Sequence, residues 1–401
     1  MVKVKNTMKR IAIFTGNRAE YGLQIPILRA INDHPDLEYY LIVSGAHLDP
    51  TFGSTVKEIE SDGFTIHEKI DIGNGGADLV STSEIIGNAI IKLTKVIKKC
   101  KPDIFLVYAD RFESFAATIA SSQTNTVTAH VEGGDITEGG ALDDNVRHAM
   151  TKLSHLHYVT NKDSYDRVKA MGEEDWRIEL AGYPAIDLIQ NNEFISEEDI
   201  CNHIDIDINK PILIFTQHSV TNKFQMVKEQ LIASIEGIKK ISKERDVQCI
   251  FTYPNNDAGG IEIFETINNY TKDIKNSIVR KSLGRRLYWG LLNLSKDPKK
   301  NIICIGNSSS GIKETATFNC PTINIGTRQK GRLRSTNIID CDYNDEQIYI
   351  AIKKCLDDDE FKAICVRSVN PYGLGGAGQK IADHLSSIEF NDKLLTKKMT
   401  I

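Results

Sequence analysis

Short apolar runs alternate along the chain with longer segments in which apolar residues recur at helical spacing. The runs predict buried strands and the longer segments predict helices, an alternation typical of a parallel sheet covered on both faces. In the first half the predicted strands are Ile11–Phe14, Tyr39–Ser44, Ile104–Ala109, Thr126–His130 and Leu156–Thr160. The predicted helices between them are Gly22–Asn32, Ser83–Lys99 and Arg111–Ser121.

The same alternation returns in the second half of the chain. Its predicted strands are Ile212–Thr216, Gln248–Tyr253, Ser277–Lys281, Lys300–Ile305 and Thr322–Ile325, with helices at Phe224–Lys243 and Gly284–Leu294. We interpret 181–194 as the link between the halves and predict an α/β protein of two doubly wound domains, 1–185 and 186–369, with a C-terminal segment at 370–401. Ligands of such sheets bind at the carboxyl ends of the strands, so we expect the substrate in a cleft between the domains.

Composition narrows the class of protein. The 401 residues are 41% hydrophobic, enough for two or three domains with substantial cores. The net charge of −5 argues against broad binding of nucleic acid. Eight cysteines without a CxxC pair favour reduced thiols over a disulfide framework or a zinc site. We find no signal-peptide pattern and no apolar run long enough to cross a membrane, so we expect a cytoplasmic protein.

The richest chemistry lies in HVEGGDITEGGALDDNVRHAMTKLSHL, residues 130–156. Acidic residues, an arginine and histidines are gathered there beside four glycines, which suits proton transfer next to an anionic ligand. Asp110 and Glu132 follow neighbouring predicted strands, and carboxylates that converge in one cleft acquire separate acid and base roles. Helix caps or ion pairs are the alternative interpretation. Asp144 and Arg147 lie three residues apart on a helical turn, as expected for a side-chain pair.

Other strand ends offer places for phosphate. In TGNRAEYG, Arg18 can reach phosphate oxygens, although an ordinary strand–helix turn with a solvated arginine fits as well. In IGNSSSGIKE, Ser308 and Ser309 supply hydroxyls and caps at a predicted helix start whose dipole attracts anions, and Glu314 can accept from ribose hydroxyls. His218 follows Ile212–Thr216, where it can donate to a diphosphate, shuttle a proton or serve a structural role.

Two further loops are weaker candidates for nucleotide contacts. FTYPNNDAGG, with Asn255, can border a nucleobase, although a plain turn is the stronger interpretation of that loop alone. In the basic loop GTRQKGRLR, Arg328 lies closest to the strand end and is the candidate for a phosphate contact. The histidine spacing fits no standard zinc pattern, so we predict no catalytic metal.

Taken together, these motifs resemble the UDP-N-acetylglucosamine 2-epimerase family, and more closely its hydrolysing branch, which makes N-acetylmannosamine for sialic-acid-type sugars. The resemblance covers about residues 9–388 and rests on these motifs in order: GNRAEYG, VSGAHL, ADRFES, HVEGGD, LDDNVRHAMTKLSH, AGYPAID, TQHSVT, PNNDAGG, GNSSSGIKE and NIGTRQKGR. It implies a GT-B-like pair of Rossmann domains with the C-terminal helix crossing back to the first. It also implies no metal or redox cofactor and a homodimer or homotetramer.

The family's reaction is anti elimination of UDP to 2-acetamidoglucal, followed in the hydrolysing branch by addition of water. By motif, the resemblance assigns Asp110, Glu132 and Asp143 to proton transfer and water activation, with Asp144 and Arg147 orienting them. The residues that it assigns to the diphosphate and the ribose are Arg18, His218, Ser308, Ser309, Arg328 and Glu314.

The sugar remains open at this stage. The loop ITEGGALDD looks about two residues longer than in the best-known sialic-acid enzymes, and a related branch acts on UDP- or GDP-linked 2,4-diacetamido-2,4,6-trideoxyglucose for legionaminic acid. UDP-N-acetylglucosamine is the first expectation and the diacetamido sugar the first alternative. A GT-B glycosyltransferase is the second alternative, since the fold serves both, and a non-catalytic nucleotide-sugar sensor is the third.

Overall fold

A computed structural model describes residues 8–49, 55–73, 79–137, 142–218, 226–253 and 260–401, apart from the side chains of 18, 19, 79 and 260–262. The chain divides into two compact units. The first comprises the described residues up to Asp135, Leu142–Leu188 and Tyr372–Ile401; the second comprises Ile136, Thr137 and the described residues of Ile189–Pro371. Within these residues no helix is long and apolar enough to cross a membrane.

The first unit is built on a parallel sheet that, in the described residues, has seven strands in the order β3-β2-β1-β4-β5-β6-β7. The central strands β4 and β5 are buried at every position, as expected for a parallel sheet covered on both faces. The strands are β1 (Lys9–Thr15), β2 (Leu37–Ser44), β3 (Ile66–Ile70), β4 (Ile104–Tyr108), β5 (Val127–Val131), β6 (Leu156–Val159) and β7 (Ile178–Leu180).

Helices cover this sheet. The first helix, α1 (Arg18–Asp33), is amphipathic, and its apolar face is buried on the sheet. The Asn17 side chain caps this helix by accepting from the Glu20 amide. The C-terminal helix α15 (Ala377–Ser387) packs so closely on α1 that a Cβ at Gly378 would lie 2.5 Å from the Pro26 carbonyl oxygen. The helices are α1 (Arg18–Asp33), α2 (Val56–Ser61), α3 (Leu79–Cys100), α4 (Phe112–Gln123), α5 (Leu142–Leu153), α6 (Lys162–Ala170), α7 (Ala185–Gln190), α15 (Ala377–Ser387) and α16 (Asp392–Leu395).

The second unit repeats the plan with six described strands in the order β10-β9-β8-β11-β12-β13. Its strands are β8 (Ile212–Thr216), β9 (Gln248–Thr252), β10 (Ser277–Arg280), β11 (Ile302–Gly306), β12 (Thr322–Ile325) and β13 (Ile338–Cys341). Its helices are α8 (Glu197–His203), α9 (Val227–Glu244), α10 (Gly260–Tyr270), α11 (Gly284–Asn293), α12 (Ser310–Lys313), α13 (Asp345–Asp357) and α14 (Asp359–Val366). The predicted α/β class with two Rossmann-like sheets is confirmed.

Each sheet has a topological switch point, where the strand order reverses. In the first unit it lies between β1 and β4, which pair in parallel through Ile11–Ile13 and Ile104–Leu106. In the second it lies between β8 and β11. Loops that leave adjacent strands in opposite directions open a crevice at such a point, and ligands of this fold class bind there. The candidate residues therefore need to be located relative to these two edges.

Candidate active site

The first switch point carries a buried arginine between carboxylates. Arg147, on α5 and 2% exposed, donates from Nη1 to Asp144 Oδ1 at 2.9 Å and from Nη2 to Asp110 Oδ2. Burial by itself would lower the arginine's pKa, but neighbouring negative charges raise it instead. The carboxylates responsible are Asp110, Asp135, Glu132 and Asp144. Arg147 thus gathers acids from the ends of β4 and β5 and from the start of α5.

Glu132 is held in an uncommon backbone conformation directly after β5. Its φ of +67° lies in the left-handed region, which a residue with a side chain seldom adopts without a compensating reason. The Glu132 amide donates to the carbonyl of Tyr158 at 2.8 Å, and Glu132 is only 6% exposed. Burial and the nearby Glu132 carboxylate raise the pKa of Tyr108 well above its usual value. The turn therefore presents a buried carboxylate at a fixed position.

Asp110 is positioned by a histidine that our sequence analysis left without a role. The chain turns sharply before it, with Ala109 at φ +59°. His130 is fully buried in β5, and its Nε2 donates to the Ala109 carbonyl at 2.8 Å, leaving Nδ1 to accept from the Thr151 hydroxyl at 3.1 Å. Burial lowers the pKa of His130 to about 3, so the ring is neutral and links the Asp110 turn to α5.

Asp143 occupies the first turn of α5 beside Asp144, and unlike Asp144 it is exposed. The negative charge of Asp143 acts on groups after β4, since it is one of the charges that raise the pKa values of Arg111 and Glu113. Acids from three separate chain segments are therefore grouped at one edge of this sheet. The arrangement suits proton transfer, since it combines buried and exposed carboxylates around one fixed cation.

The second switch point is organised by Asn307, directly after β11. Its side chain brackets the backbone of His218, accepting from the His218 amide at 2.7 Å and donating to the His218 carbonyl at 2.9 Å. The Asn307 carbonyl in turn accepts from Arg328 Nη1 at 3.0 Å and from Gln329 Nε2 at 2.8 Å. The structure therefore brings His218 and Arg328 together, although they lie on separate loops. Asn307 and Gln329 are structural supports that we did not single out from the sequence.

His218 is largely buried at 8% exposed, and burial together with the charge of Arg328 lowers its pKa to about 3. A neutral imidazole donates through one ring nitrogen without carrying charge. The close approach of β11 to β8 depends on Gly306, because a Cβ there would lie 1.9 Å from the Thr216 carbonyl oxygen. This edge therefore offers a neutral donor and a guanidinium, which suit an anion more than proton transfer.

The serines after β11 differ from our expectation. Ser308 and Ser309 are half-buried, and the helix that follows, α12, has only four residues; the side chain of Ser309, at its N-cap position, makes no capping hydrogen bond. The predicted helix start is present but the predicted Ser309 cap is wrong, and the attraction of an anion to this helix start stays a prediction. Glu314 is buried, and its Oε2 accepts from the Trp289 indole at 2.7 Å. One carboxyl oxygen of Glu314 is therefore already the acceptor of a hydrogen bond within the protein.

Two predicted contacts cannot be located. Asn255 and the side chain of Arg18 lie outside the described residues, although the backbone of Arg18 begins α1 directly after the Gly16 turn.

Comparison with known proteins identifies the family of this chain. The chain is 32% identical over 390 residues to the UDP-N,N'-diacetylbacillosamine 2-epimerase (hydrolyzing) of Legionella pneumophila, covering 97% of this chain and 99% of that protein. It is 34% identical over 340 residues to the GDP/UDP-N,N'-diacetylbacillosamine 2-epimerase (hydrolyzing) of Campylobacter jejuni, covering 84% and 85%.

A solved structure has the same fold. The UDP-GlcNAc 2-epimerase of Neisseria meningitidis bound to UDP-GlcNAc superposes with a TM-score of 0.79 at 17% identity, covering 94% of this chain and 99% of that one. The sequence model of the UDP-N-acetylglucosamine 2-epimerase family matches residues 29–386. The chain therefore belongs to the UDP-N-acetylglucosamine 2-epimerase family.

Proposed function

We propose that the protein is a hydrolysing 2-epimerase of a nucleotide-linked 2-acetamido sugar. The observation that carries the proposal is the cluster at the first switch point, where Arg147 gathers Asp110, Glu132 and Asp144 beside Asp143. Epimerisation at C2 needs a base for one face of the sugar and an acid for the other. A binding protein or a retaining transferase has no use for so many acids around one buried cation.

The reaction has two steps in this proposal. A carboxylate removes the C2 proton while the C1–O bond to the nucleoside diphosphate breaks and its electron pair leaves with the diphosphate, giving the 2-acetamidoglucal. Water then adds at C1, losing its second proton to a carboxylate, while C2 takes a proton on the opposite face. We assign these transfers to Asp110, Glu132 and Asp143, each contributing about 10²–10⁴-fold.

The second unit holds the nucleotide in this proposal. Departure of the diphosphate governs the elimination, because C2 is not activated by a carbonyl group and its proton becomes acidic only as C1 gains positive character. His218 and Arg328 supply a neutral donor and a positive charge within one hydrogen-bonded network on Asn307. Ser308 and Ser309 add hydroxyls from the next residues. Preorganised donors of this kind stabilise a leaving group most effectively when they are shielded from water.

We propose a sugar that carries acetamido groups at both C2 and C4, linked to UDP or GDP. Both diacetylbacillosamine epimerases described above share about a third of their residues with this chain over the matched lengths. UDP-N-acetylglucosamine is the second candidate, favoured by 30% identity over 357 residues to a UDP-N-acetylglucosamine 2-epimerase of Neisseria meningitidis.

Turnover in heavy water tests the proposal. Each candidate is incubated with purified protein, and the products are followed by NMR and chromatography. The proposal predicts free nucleoside diphosphate and the 2-epimer of the free sugar with deuterium at C2. Release of the diphosphate without deuterium at C2 indicates simple hydrolysis and overturns it. A ratio of kcat/KM that favours UDP-N-acetylglucosamine overturns the choice of sugar but leaves the chemistry.

A variant separates catalysis from binding. Glu132→Gln should lower kcat by about 10²–10⁴-fold and leave the Kd for UDP within twofold, because UDP is assigned to the second unit. Glu84→Gln is the matched control, since Glu84 is exposed on α3 of the same unit. Glu132→Gln with kcat like that of Glu84→Gln would remove Glu132 from the mechanism.

A further inference from the structure

Two buried carboxyl groups at the first switch point have no role in the proposed reaction. Glu20 lies in the first turn of α1, directly after β1, and Glu113 lies in the first turn of α4, directly after β4. Because β1 and β4 are neighbours in the sheet, both helices start at the same edge. Each glutamate is only 4% exposed. Acidic residues are seldom buried to this degree without a partner of opposite charge.

Both carboxyl groups converge on Gly16, in the turn between β1 and α1. One oxygen of Glu20 accepts from the Gly16 amide at 3.3 Å, and the other accepts from the Ser114 hydroxyl at 3.4 Å. A Cβ added to Gly16 would lie 2.8 Å from the Cβ of Glu113 and 3.5 Å from its carboxyl carbon. Gly16 therefore leaves just enough room for Glu113 to pack beside the group that Glu20 contacts.

The hydrogen bonds do not satisfy two carboxylates. Those of Glu20 are long, and the Oε2 atom of Glu113 is buried with no hydrogen-bond donor among the described residues. A buried carboxylate in a folded protein normally accepts several hydrogen bonds or pairs with a cation. Two ionised groups here would leave accepting capacity unused at a point where water does not reach.

The charges around the pair do not balance two negative groups either. The described cation that faces it is Arg111, whose Nε lies 3.7 Å from Glu113 Oε2 and whose side chain is 43% exposed. That guanidinium is also within the field of Asp110 from the β4–α4 turn and Asp143 from α5. Tyr108, at the end of β4, adds only a neutral hydroxyl.

The end of β2 contributes no charge to the pair. Gly45 meets Glu113 there, and a Cβ added to Gly45 would lie 3.6 Å from the Glu113 Cγ atom. His47, two residues later, is held between the hydroxyls of Thr15 and Thr55 at 3.0 and 2.8 Å, and burial lowers its pKa to about 4. Among the described side chains, one half-exposed guanidinium therefore faces two buried carboxyl groups.

We propose that Glu20 and Glu113 share one proton, and that this shared proton keeps the Gly16 turn free of excess negative charge so that the first unit admits an anionic nucleotide sugar. The pair acts as a positioning device: it holds the turn and Arg111 in place and does not touch the reacting atoms. The inference rests on the proposed function for its consequence on substrate binding, whereas the shared proton itself is independent of any substrate.

The pair should lose its shared proton in a definite pH range. Burial and the neighbouring Glu113 raise the pKa of Glu20 to about 8, and burial also raises the pKa of Glu113. Below that range the pair carries one negative charge opposite Arg111. Above it the shared proton leaves, and an uncompensated negative charge appears beside the Gly16 turn. The KM for the nucleotide sugar should then rise by about tenfold per pH unit, while kcat changes less.

Kinetics of three variants test this consequence. Glu20→Gln and Glu113→Gln each replace one carboxyl group by a neutral amide of the same shape, so each should abolish the alkaline rise in KM. Glu84→Gln, on the exposed face of α3, should keep the wild-type profile. If both pair variants fold and retain the wild-type rise in KM, the pair does not control binding and the proposal is overturned.

A substrate-free titration tests the proton itself. In protein labelled with ¹³C at the glutamate carboxyl carbons, NMR should show one carboxyl group titrating near pH 8, and both pair variants should lose that signal. If every glutamate of the wild-type protein titrates below about pH 6, the shared proton is ruled out, whether or not the variants fold. Because this measurement uses no nucleotide sugar, it decides the inference even if the proposed reaction fails.

Discussion

Replacement of Glu173 by glutamine should destabilise the first unit by about 3 kcal/mol at neutral pH. The Glu173 carboxylate is almost fully buried and binds Lys152 Nζ at 2.6 Å, Lys397 Nζ at 2.8 Å and His157 Nε2 at 3.0 Å. Its amide replacement keeps the shape but turns a donor group toward donors. It also leaves Lys397, which comes from the C-terminal tail, buried without a counter-charge.

The magnitude follows from the carboxyl pKa. Burial alone would raise it, but hydrogen bonds from His157, Lys152 and Lys397 outweigh burial and lower the pKa of Glu173 from 4.5 to about 2. A shift of this size corresponds to about 3 kcal/mol. Breaking a buried ion pair by removing one partner costs a similar amount, about 3–5 kcal/mol.

The sign of the pH dependence is set by the depressed pKa. The stabilisation is present above the unfolded value of 4.5 and is lost as pH falls toward about 2. The difference in stability between wild type and Glu173→Gln should therefore be largest near neutral pH and shrink below about pH 4. A difference that stays constant down to pH 2 would show that the carboxylate charge is not the cause.

Hydrogen exchange is the appropriate assay, because a chain of two units does not unfold in one step. Lys397 donates to the carbonyls of Ser154 and Lys152 at 2.7 Å and of Thr151 at 3.2 Å, so amides of α5 and of the tail should lose protection together. The control is Asp175→Asn, which removes an exposed ion pair and should change little. A loss under about 1 kcal/mol for Glu173→Gln would refute the reasoning.

Three further predictions concern the two switch points. Arg147→Lys should lower kcat at least 100-fold, measured by nucleotide release, since lysine lacks the planar fork with which Arg147 reaches Asp144 from Nη1 and Asp110 from Nη2; wild-type turnover would contradict the role of the cluster. The pH profile of kcat/KM should contain no step from His218 between pH 5 and 8, because its pKa is lowered to about 3; a step in that range that His218→Gln removes would contradict this. Gly306→Ala should cost the second unit more than about 2 kcal/mol by hydrogen exchange, given the 1.9 Å approach to Thr216, whereas Gly87→Ala, with nothing within 4 Å, should stabilise α3 slightly.

Central strands were predictable from the sequence, whereas three of the four edge strands in the described residues were not. Strands buried on both faces are rich in apolar residues, although β5 (VTAHV) and β6 (LHYV) also bury polar ones, and the predicted bounds differ from the observed ones by a few residues at most. The missed strands, β3, β7 and β13, are short edge strands with alternating or partial exposure. IHEKI, which forms β3, has three consecutive polar residues between two isoleucines, so it offers no apolar run, and its exposure alternates because one face meets solvent. The predicted link at 181–194 contains a helix, α7, that the sequence analysis missed. Gly182 and Pro184 directly precede this helix, and both residue types are typical of turns.

The candidate site was predictable where chemistry follows a strand end and not where it depends on which strands become neighbours. Asp110 and Glu132 directly follow apolar runs, so their place at one sheet edge could be expected. The convergence of Glu20 and Glu113 required knowing that β1 lies beside β4, with two strands intervening in the chain. The supporting role of Asn307 likewise depends on β8 and β11 being paired. Local pattern carries no information about such pairings.

The two switch points differ in the sign of the charge that they present, and the proposed elimination assigns them different tasks. The first is dominated by carboxylates around Arg147, and a site of that kind repels a diphosphate while it serves proton transfer. The second presents a neutral His218 beside Arg328, a pairing that suits an anion, and His218 cannot serve as a strong base because its pKa is so low. A shared proton on Glu20 and Glu113 reduces the conflict at the first, since it removes one negative charge next to Gly16, where α1 begins. Substituting the pair should therefore change substrate affinity and its pH dependence, whereas substituting Glu132 should change turnover, and this separation of KM from kcat effects distinguishes a positioning pair from the catalytic acids.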